Sequence, residues 1–248
     1  MEEIHSVHMN KDIYNPDFVR TLFNSMSKTY ERMNYITSFG FSERWRRICV
    51  KEAQINPGDH VADLMTGMGE CWKTILPRIG QNGTLTALDF SSEMLSHAEK
   101  RKLTCINFKI EILCEDVFKN TIPDSSIDCV VSGFGIKTFS EKQLANLALE
   151  INRILKPNGR FSLIDVSVPD GKVLSVLYMF YLKNIIPILG KLFLGNPENY
   201  KMLGVYTEEF RNAQQCHAIF EKLGFESKFT KKFFGCASGI TGKKKLAS

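Results

Sequence analysis

The run Gly58-Asp59-His60-Val61-Ala62-Asp63-Leu64-Met65-Thr66-Gly67-Met68-Gly69-Glu70, followed by Thr84-Leu85-Thr86-Ala87-Leu88-Asp89, admits few folds. Val61, Ala62 and Leu64 form a short apolar stretch of the kind buried inside a parallel sheet. Gly67 and Gly69 then let the backbone turn sharply and approach a ligand with no Cβ in the way. A helix comes next, and the second strand ends in Asp89, an acid placed to accept hydrogen bonds from the two hydroxyls of a ribose. Strand, glycine turn, helix, strand and acid, in that order, predict a nucleoside-containing ligand at the strand ends.

The details of the turn narrow the ligand. A dinucleotide fingerprint needs a third glycine where the helix packs on the strand, and Trp72 stands near that place. Glu70 would repel a pyrophosphate at the helix N-terminus. No Gly-Lys-Ser/Thr follows, so a Walker loop is excluded. S-adenosylmethionine fits better: it has ribose and adenine but no phosphate, and its sulfonium and ammonium tolerate Asp63 and Glu70.

Composition sets wider bounds. The 248 residues are 44% hydrophobic and 24% charged, as expected of one globular domain with a sizeable core. A net charge of +5 sits in short clusters such as Arg44, Arg46 and Arg47, which argues against specific nucleic-acid binding and allows weak attraction to an anionic membrane surface. The seven scattered cysteines contain no Cys-x-x-Cys pair, which predicts reduced thiols in a cytoplasmic protein and no metal site. The acidic, polar N-terminus does not read as a signal peptide. Residues 173–194 are apolar, but Lys183, Asn184, Pro187, Gly190 and Lys191 argue against a membrane-spanning segment.

The rhythm of the chain gives the architecture. Residues 1–15 lack apolar periodicity and are expected to form a mobile arm, whereas 16–56 read as a helical cover. Strands are predicted at 60–65, 84–89, 107–112, 127–132 and 160–166, with helices at 69–80, 91–101 and 141–155 between them. Such alternation predicts an α/β fold, a mostly parallel sheet with helices on both faces. Residues 171–205 read as an apolar helical lid, and a helix at 207–223 precedes a strand pair from 225 to 238. The whole is one domain: cover 16–56, core 58–168, lid 171–205 and C-terminal helix and strands 206–240.

Other candidates lie at the strand ends. Asp116, with the backbone N–H of Val117, can bond an adenine amino group and ring nitrogen. Gly133, Phe134 and Gly135 end the fourth strand, which neighbours the first if the strand order reverses there. Tyr30 and Asn34 on the cover can reach the same pocket. Lys137, Asp165 and His217 are the titratable groups with acid–base potential.

These residues resemble the ubiquinone/menaquinone biosynthesis C-methyltransferases, a class I S-adenosylmethionine-dependent group with a seven-stranded Rossmann-like sheet. The resemblance runs from about Val19 to Lys245 and rests on Ser27–Asn34, Ser38-Phe39-Gly40, Trp45-Arg46-Arg47, the glycine turn, Ser92-Glu93-Met94-Leu95, Phe134-Gly135, Leu155-Lys156-Pro157-x-Gly159-Arg160 and Gly224-Phe225-Glu226. Residues and resemblance together give the cofactor contacts as Tyr30, Asp63, Gly67, Met68, Gly69, Asp89, Phe90, Met94, Asp116, Val117, Gly133 and Phe134, with Lys137 and Asp165 catalytic. Phe180–Gly190 resembles the family's lid over a prenylated acceptor. Met68 stands where the family usually has Thr, Gly133 replaces a Ser, and Ile136-Lys137-Thr138 replaces Leu-Arg-Asn, a pair linked to proton removal from a quinol ring. The expected activity is C-methylation of a quinol-like or other apolar aromatic molecule, by a monomer or homodimer. An N- or O-methyltransferase, a non-methylating relative that promotes cyclisation, and a non-catalytic subunit are the alternatives. Trp72 disfavours a dehydrogenase.

Overall fold

The structure, a computed structural model, describes residues 12–192 and 196–245. Most of the arm expected at residues 1–15, and part of the lid, lie outside the described residues.

Seven strands form one sheet: β1 (His60–Leu64), β2 (Thr84–Asp89), β3 (Lys109–Cys114), β4 (Ile127–Gly133), β5 (Leu155–Val166), β6 (Phe225–Lys232) and β7 (Ala237–Lys244). Their order is β3-β2-β1-β4-β5-β7-β6, and β7 alone runs antiparallel to both its neighbours. The order reverses between β1 and β4, which pair in parallel through Val61–Cys129 and Asp63–Val131. That reversal opens a crevice beyond the carboxyl ends of the central strands.

Among the described residues, three helices precede the sheet: α1 (Pro16–Met26), α2 (Tyr30–Thr37) and α3 (Phe41–Glu52). Asn15 caps α1 through its side chain, and Pro16 starts it, where its missing N–H has no cost. Helices α4 (Trp72–Ile79), α5 (Ser92–Lys102) and α6 (Glu141–Ile154) cross between parallel strands. Ser140 and Gln143 close a reciprocal capping box at the start of α6. The lid comprises α7 (Lys172–Phe180), a π-helical turn at Tyr181–Ile185, and α8 (Ile186–Leu192), followed by α9 (Pro197–Phe210). α10 (Gln214–Lys222) leads into β6.

Lid and N-terminal cover form one packed unit. Met26, Met33, Leu182, Ile186, Tyr200 and Tyr206 share an apolar cluster. Polar clasps join the same pieces: the Tyr181 hydroxyl donates to the Thr37 carbonyl (2.7 Å), and Tyr200 and Thr29 share a hydroxyl pair at 2.7 Å.

Several boundaries differ from the sequence reading. The helix expected over 207–223 is two, because Arg211 adopts φ +54° and its carbonyl accepts from Val168 N, while Ser238 Oγ takes the N–H of Ala213. β3 lies two residues further along than expected. β7 extends past Ser238 to Lys244, with Gly239 and Gly242 at points where a Cβ would collide with carbonyl oxygens of Leu163 and Glu226.

Candidate functional site: two adjoining cavities at the strand ends

The first cavity, about 830 Å³ and partly open to solvent, lies over the ends of β1, β2 and β4. Its polar wall includes Glu70, Asp89 and Asp116, and its apolar wall includes Phe90, Met94, Val117, Phe118 and Phe139. Asp89 is buried at the tip of β2, where one oxygen accepts from Gly67 N (2.8 Å) and the other from Ser91 N (2.9 Å). Each oxygen keeps a lone pair for a further donor. Burial pushes the Asp89 carboxyl up to about 6, against the pull of the two N–H bonds. Asp116 takes the N–H of Phe118 at 2.9 Å and presents its remaining acceptor capacity to the same cavity.

The glycine turn is braced from below. Trp72 Nε1 donates to Thr66 Oγ1 (2.9 Å), which donates to Asp63 Oδ2 (2.6 Å). Asp63 Oδ1 is buried with no hydrogen-bond partner among the described residues, and burial lifts this carboxyl to about 7. Gly69 has φ +80°, and a Cβ there would stand 2.7 Å from the Trp72 indole. Glu70 accepts from Met68 N (3.0 Å) and pairs with Arg46 (3.1 Å), whose guanidinium lies 4.6 Å from the centre of the Phe134 ring. Met65 and Phe134, at the tips of β1 and β4, both take positive φ and both line the cavity. Such strain in side-chain-bearing residues concentrates at ligand sites. The tips also interlock, since a Cβ on Gly135 would meet the Met65 Cβ at 2.8 Å.

The second cavity, about 1340 Å³ and also open on one side, lies between the cover and the lid. Trp45, Tyr178, Tyr181, Leu182, Ile186 and Leu203 give it an apolar character. Tyr30 and Phe134 line both cavities, so the two spaces meet at these rings. Lys137 reaches the second cavity as its cation, with its Nζ 2.7 Å from Asp165 Oδ1. Asp165 also accepts from the backbone N–H groups of Lys137 (2.9 Å) and Val166 (2.8 Å).

Of the expected contacts, Tyr30, Gly67, Asp89, Phe90, Met94, Asp116, Val117, Gly133 and Phe134 line the first cavity. Three do not. Asp63 lies beneath the turn and braces Thr66, Met68 is buried in the cover's apolar cluster, and Gly69 makes room for Trp72. Asp165, expected to be catalytic, lines neither cavity and stands behind Lys137; His217 bonds Ser227 Oγ (2.7 Å) away from both. The sequence reading missed Arg46, Thr138 and Gln143 as lining residues. The Arg44–Arg47 cluster was the visible trace of Arg46, yet only the fold shows that this one arginine turns inward. Gly133 fits the same picture, because a Cβ there would meet Cys71 Sγ at 3.2 Å and Arg46 Cγ at 3.3 Å.

A sequence model of the ubiE/COQ5 methyltransferase family matches residues 9–244. The chain belongs to this family. Its seven-stranded, mostly parallel sheet has the fold of the class I S-adenosylmethionine-dependent methyltransferases. Among relatives, a demethylmenaquinone methyltransferase of Staphylococcus aureus is 30% identical over 221 residues, covering 89% of this chain and 90% of its own. A SAM-dependent methyltransferase from Aquifex aeolicus superposes with a TM-score of 0.57 at 20% identity, over 80% of this chain and 88% of that one. Phosphoethanolamine N-methyltransferase 2 of Haemonchus contortus, solved with S-adenosyl-L-methionine, gives 0.59 at 15% identity, over 90% of this methyltransferase and 60% of its own chain. At those identities the two structures speak to the fold alone.

Proposed function

We propose that this methyltransferase holds S-adenosylmethionine in the first cavity and methylates a ring carbon of an apolar, quinol-like acceptor in the second. One observation carries the reading: an apolar cavity under the lid meets the glycine-turn cavity at Tyr30 and Phe134. The Staphylococcus aureus relative is named for demethylmenaquinone, and the proposal extends an acceptor of that class to this chain.

The residues present fit the cofactor. Asp89 offers acceptors for ribose hydroxyls, Asp116 and Val117 border a slot of apolar side chains suited to adenine, and Glu70 offers negative charge to the cationic end. The unpartnered Asp63 Oδ1 beneath the turn adds a second negative charge whenever that carboxyl is ionised. When bound, the cofactor supplies an electrophilic methyl group on a positively charged sulfur. The chain's work is alignment: Phe134 and Tyr30 stand at the boundary of the two cavities, where carbon and methyl must come within roughly 3–3.5 Å.

A quinol ring carbon becomes strongly nucleophilic once a neighbouring hydroxyl is ionised. Lys137 suits that need through its charge, since an ammonium facing the apolar cavity stabilises an oxyanion there. Asp165 then acts as a positioning residue, fixing the ammonium with a 2.7 Å contact from behind.

The test is direct. The protein is incubated with S-adenosylmethionine tritiated in its methyl group and with demethylmenaquinol kept reduced. The expected product carries the label into the organic extract on a ring carbon. Label on oxygen, or none despite saturating cofactor, would rule out the acceptor class.

A further inference from the structure

We propose that the mouth of the second cavity is a docking surface for an anionic lipid bilayer, through which an apolar acceptor enters without crossing water. The proposal rests on the acceptor reading above for its purpose, and on surface geometry for its existence.

Three residues that line the second cavity, Phe39, Leu174 and Phe233, are also exposed, Phe39 by 81% and Phe233 by 52%. Each belongs both to the cavity wall and to the outer surface. Phe39 and Phe233 hold positive φ (51° and 45°), an unfavourable backbone state adopted here by two large apolar residues that line the cavity. The surface continues along the lid, where Val176 is 68% and Leu177 62% exposed and Ile188 is equally open.

The lid itself has the build of an interfacial helix. The run Lys172–Leu192 is apolar and long enough to cross a bilayer, yet it turns one face to the cavity through Tyr178, Leu182 and Ile186. Val173, Val176, Leu177, Phe180, Ile188 and Leu192 point outward and are exposed, and only 17% of the run's most apolar stretch is buried. Exposed cations stand around it: Lys172 and Lys191 at its two ends, and Arg44 over the Phe41 ring that packs on Phe233. An apolar face with basic ends fits an anionic membrane surface, each cation adding to an attraction that neutral lipid lacks. An apolar patch continuous with an apolar cavity fits a bilayer better than a polar protein partner.

Vesicles of phosphatidylcholine containing one quarter phosphatidylglycerol are compared with pure phosphatidylcholine in a co-sedimentation assay of the full chain. Wild-type protein is expected to sediment with the anionic vesicles and far less with the neutral ones. The pair Val176→Asp and Leu177→Asp, exposed and outside the cavity, is expected to lower binding roughly tenfold or more. Its melting temperature and its turnover of a short, water-soluble quinol are expected to stay as in the wild type. Lys172→Glu with Lys191→Glu is expected to weaken anionic binding alone. Wild-type protein that stays in solution with both vesicle types would overturn the proposal. So would a dimer in size-exclusion chromatography that the Val176/Leu177 variant splits, which would make a second copy the occupant. Because the readout is binding, an incorrect acceptor assignment leaves this result untouched.

Discussion

Asp89→Asn is expected to weaken binding of S-adenosylhomocysteine by about 100-fold, measured by calorimetry on the folded variant. Hydrogen bonds to an ionised group contribute about 1.5–3 kcal/mol each, and a ribose offers two hydroxyls to this carboxylate. The amide also turns an N–H₂ toward one of two backbone donors, Gly67 N or Ser91 N, which now each meet an oxygen. The pH dependence follows from the raised pKa. Ribose hydroxyls favour the carboxylate, so affinity is full above the carboxyl's value of about 6 and falls as the pH drops through it. At pH 5 wild-type binding is expected to be roughly tenfold weaker than at pH 8, while the Asn variant varies little across that range. The stability sign is opposite. The folded protein holds this proton from the ordinary value of 3.8 up to about 6, so unliganded stability declines as pH rises through that window. An unchanged affinity in Asp89→Asn would put the ribose elsewhere.

Lys137→Met is expected to cost about 3–5 kcal/mol of stability, because it leaves Asp165 buried without its cation. For a chain of this size that corresponds to a fall in melting temperature on the order of 10 °C. Adding Asp165→Asn should recover part of the loss, since both charges are then gone while an oxygen remains for one of the two backbone donors. A melting temperature like the wild type's in Lys137→Met would mean that the ion pair does not hold in solution. Lys137→Arg is the informative companion. It keeps the charge but places a planar fork where a point charge fits, so a folded variant with altered turnover points to work at the cavity surface.

Much of this molecule was legible in its residue order. Val61–Leu64, the two turn glycines and Asp89 are a local pattern, and local patterns survive translation into a fold. The alternation of short apolar runs with capped helices gave the parallel sheet and, through it, the place of the crevice. What stayed hidden depends on distant partners. Arg211 breaks a helix as its carbonyl accepts from Val168 N, and nothing near Arg211 in the chain announces this. Met65 and Phe134 adopt positive φ although neither is the residue type that favours it. Arg46 looks like its neighbours Arg44 and Arg47 until the helix is docked, when it alone meets Glu70 and Phe134. The residue order points to Asp63 as a cofactor contact and to Asp165 as a catalytic group. Their side chains brace Thr66 and Lys137, and that division between holding and touching is settled by ångströms.

The proposed site places adenosine against α5 and the ends of β2 and β3, with the methyl acceptor beyond Phe134. Photolabelling with 8-azido-S-adenosylmethionine, followed by peptide mapping, tests it most directly. Label is expected within Phe90–Met94 or Asp116–Phe118, competed away by S-adenosylhomocysteine. Competed label confined to the lid or to the far edge at β6 and β7 would contradict it.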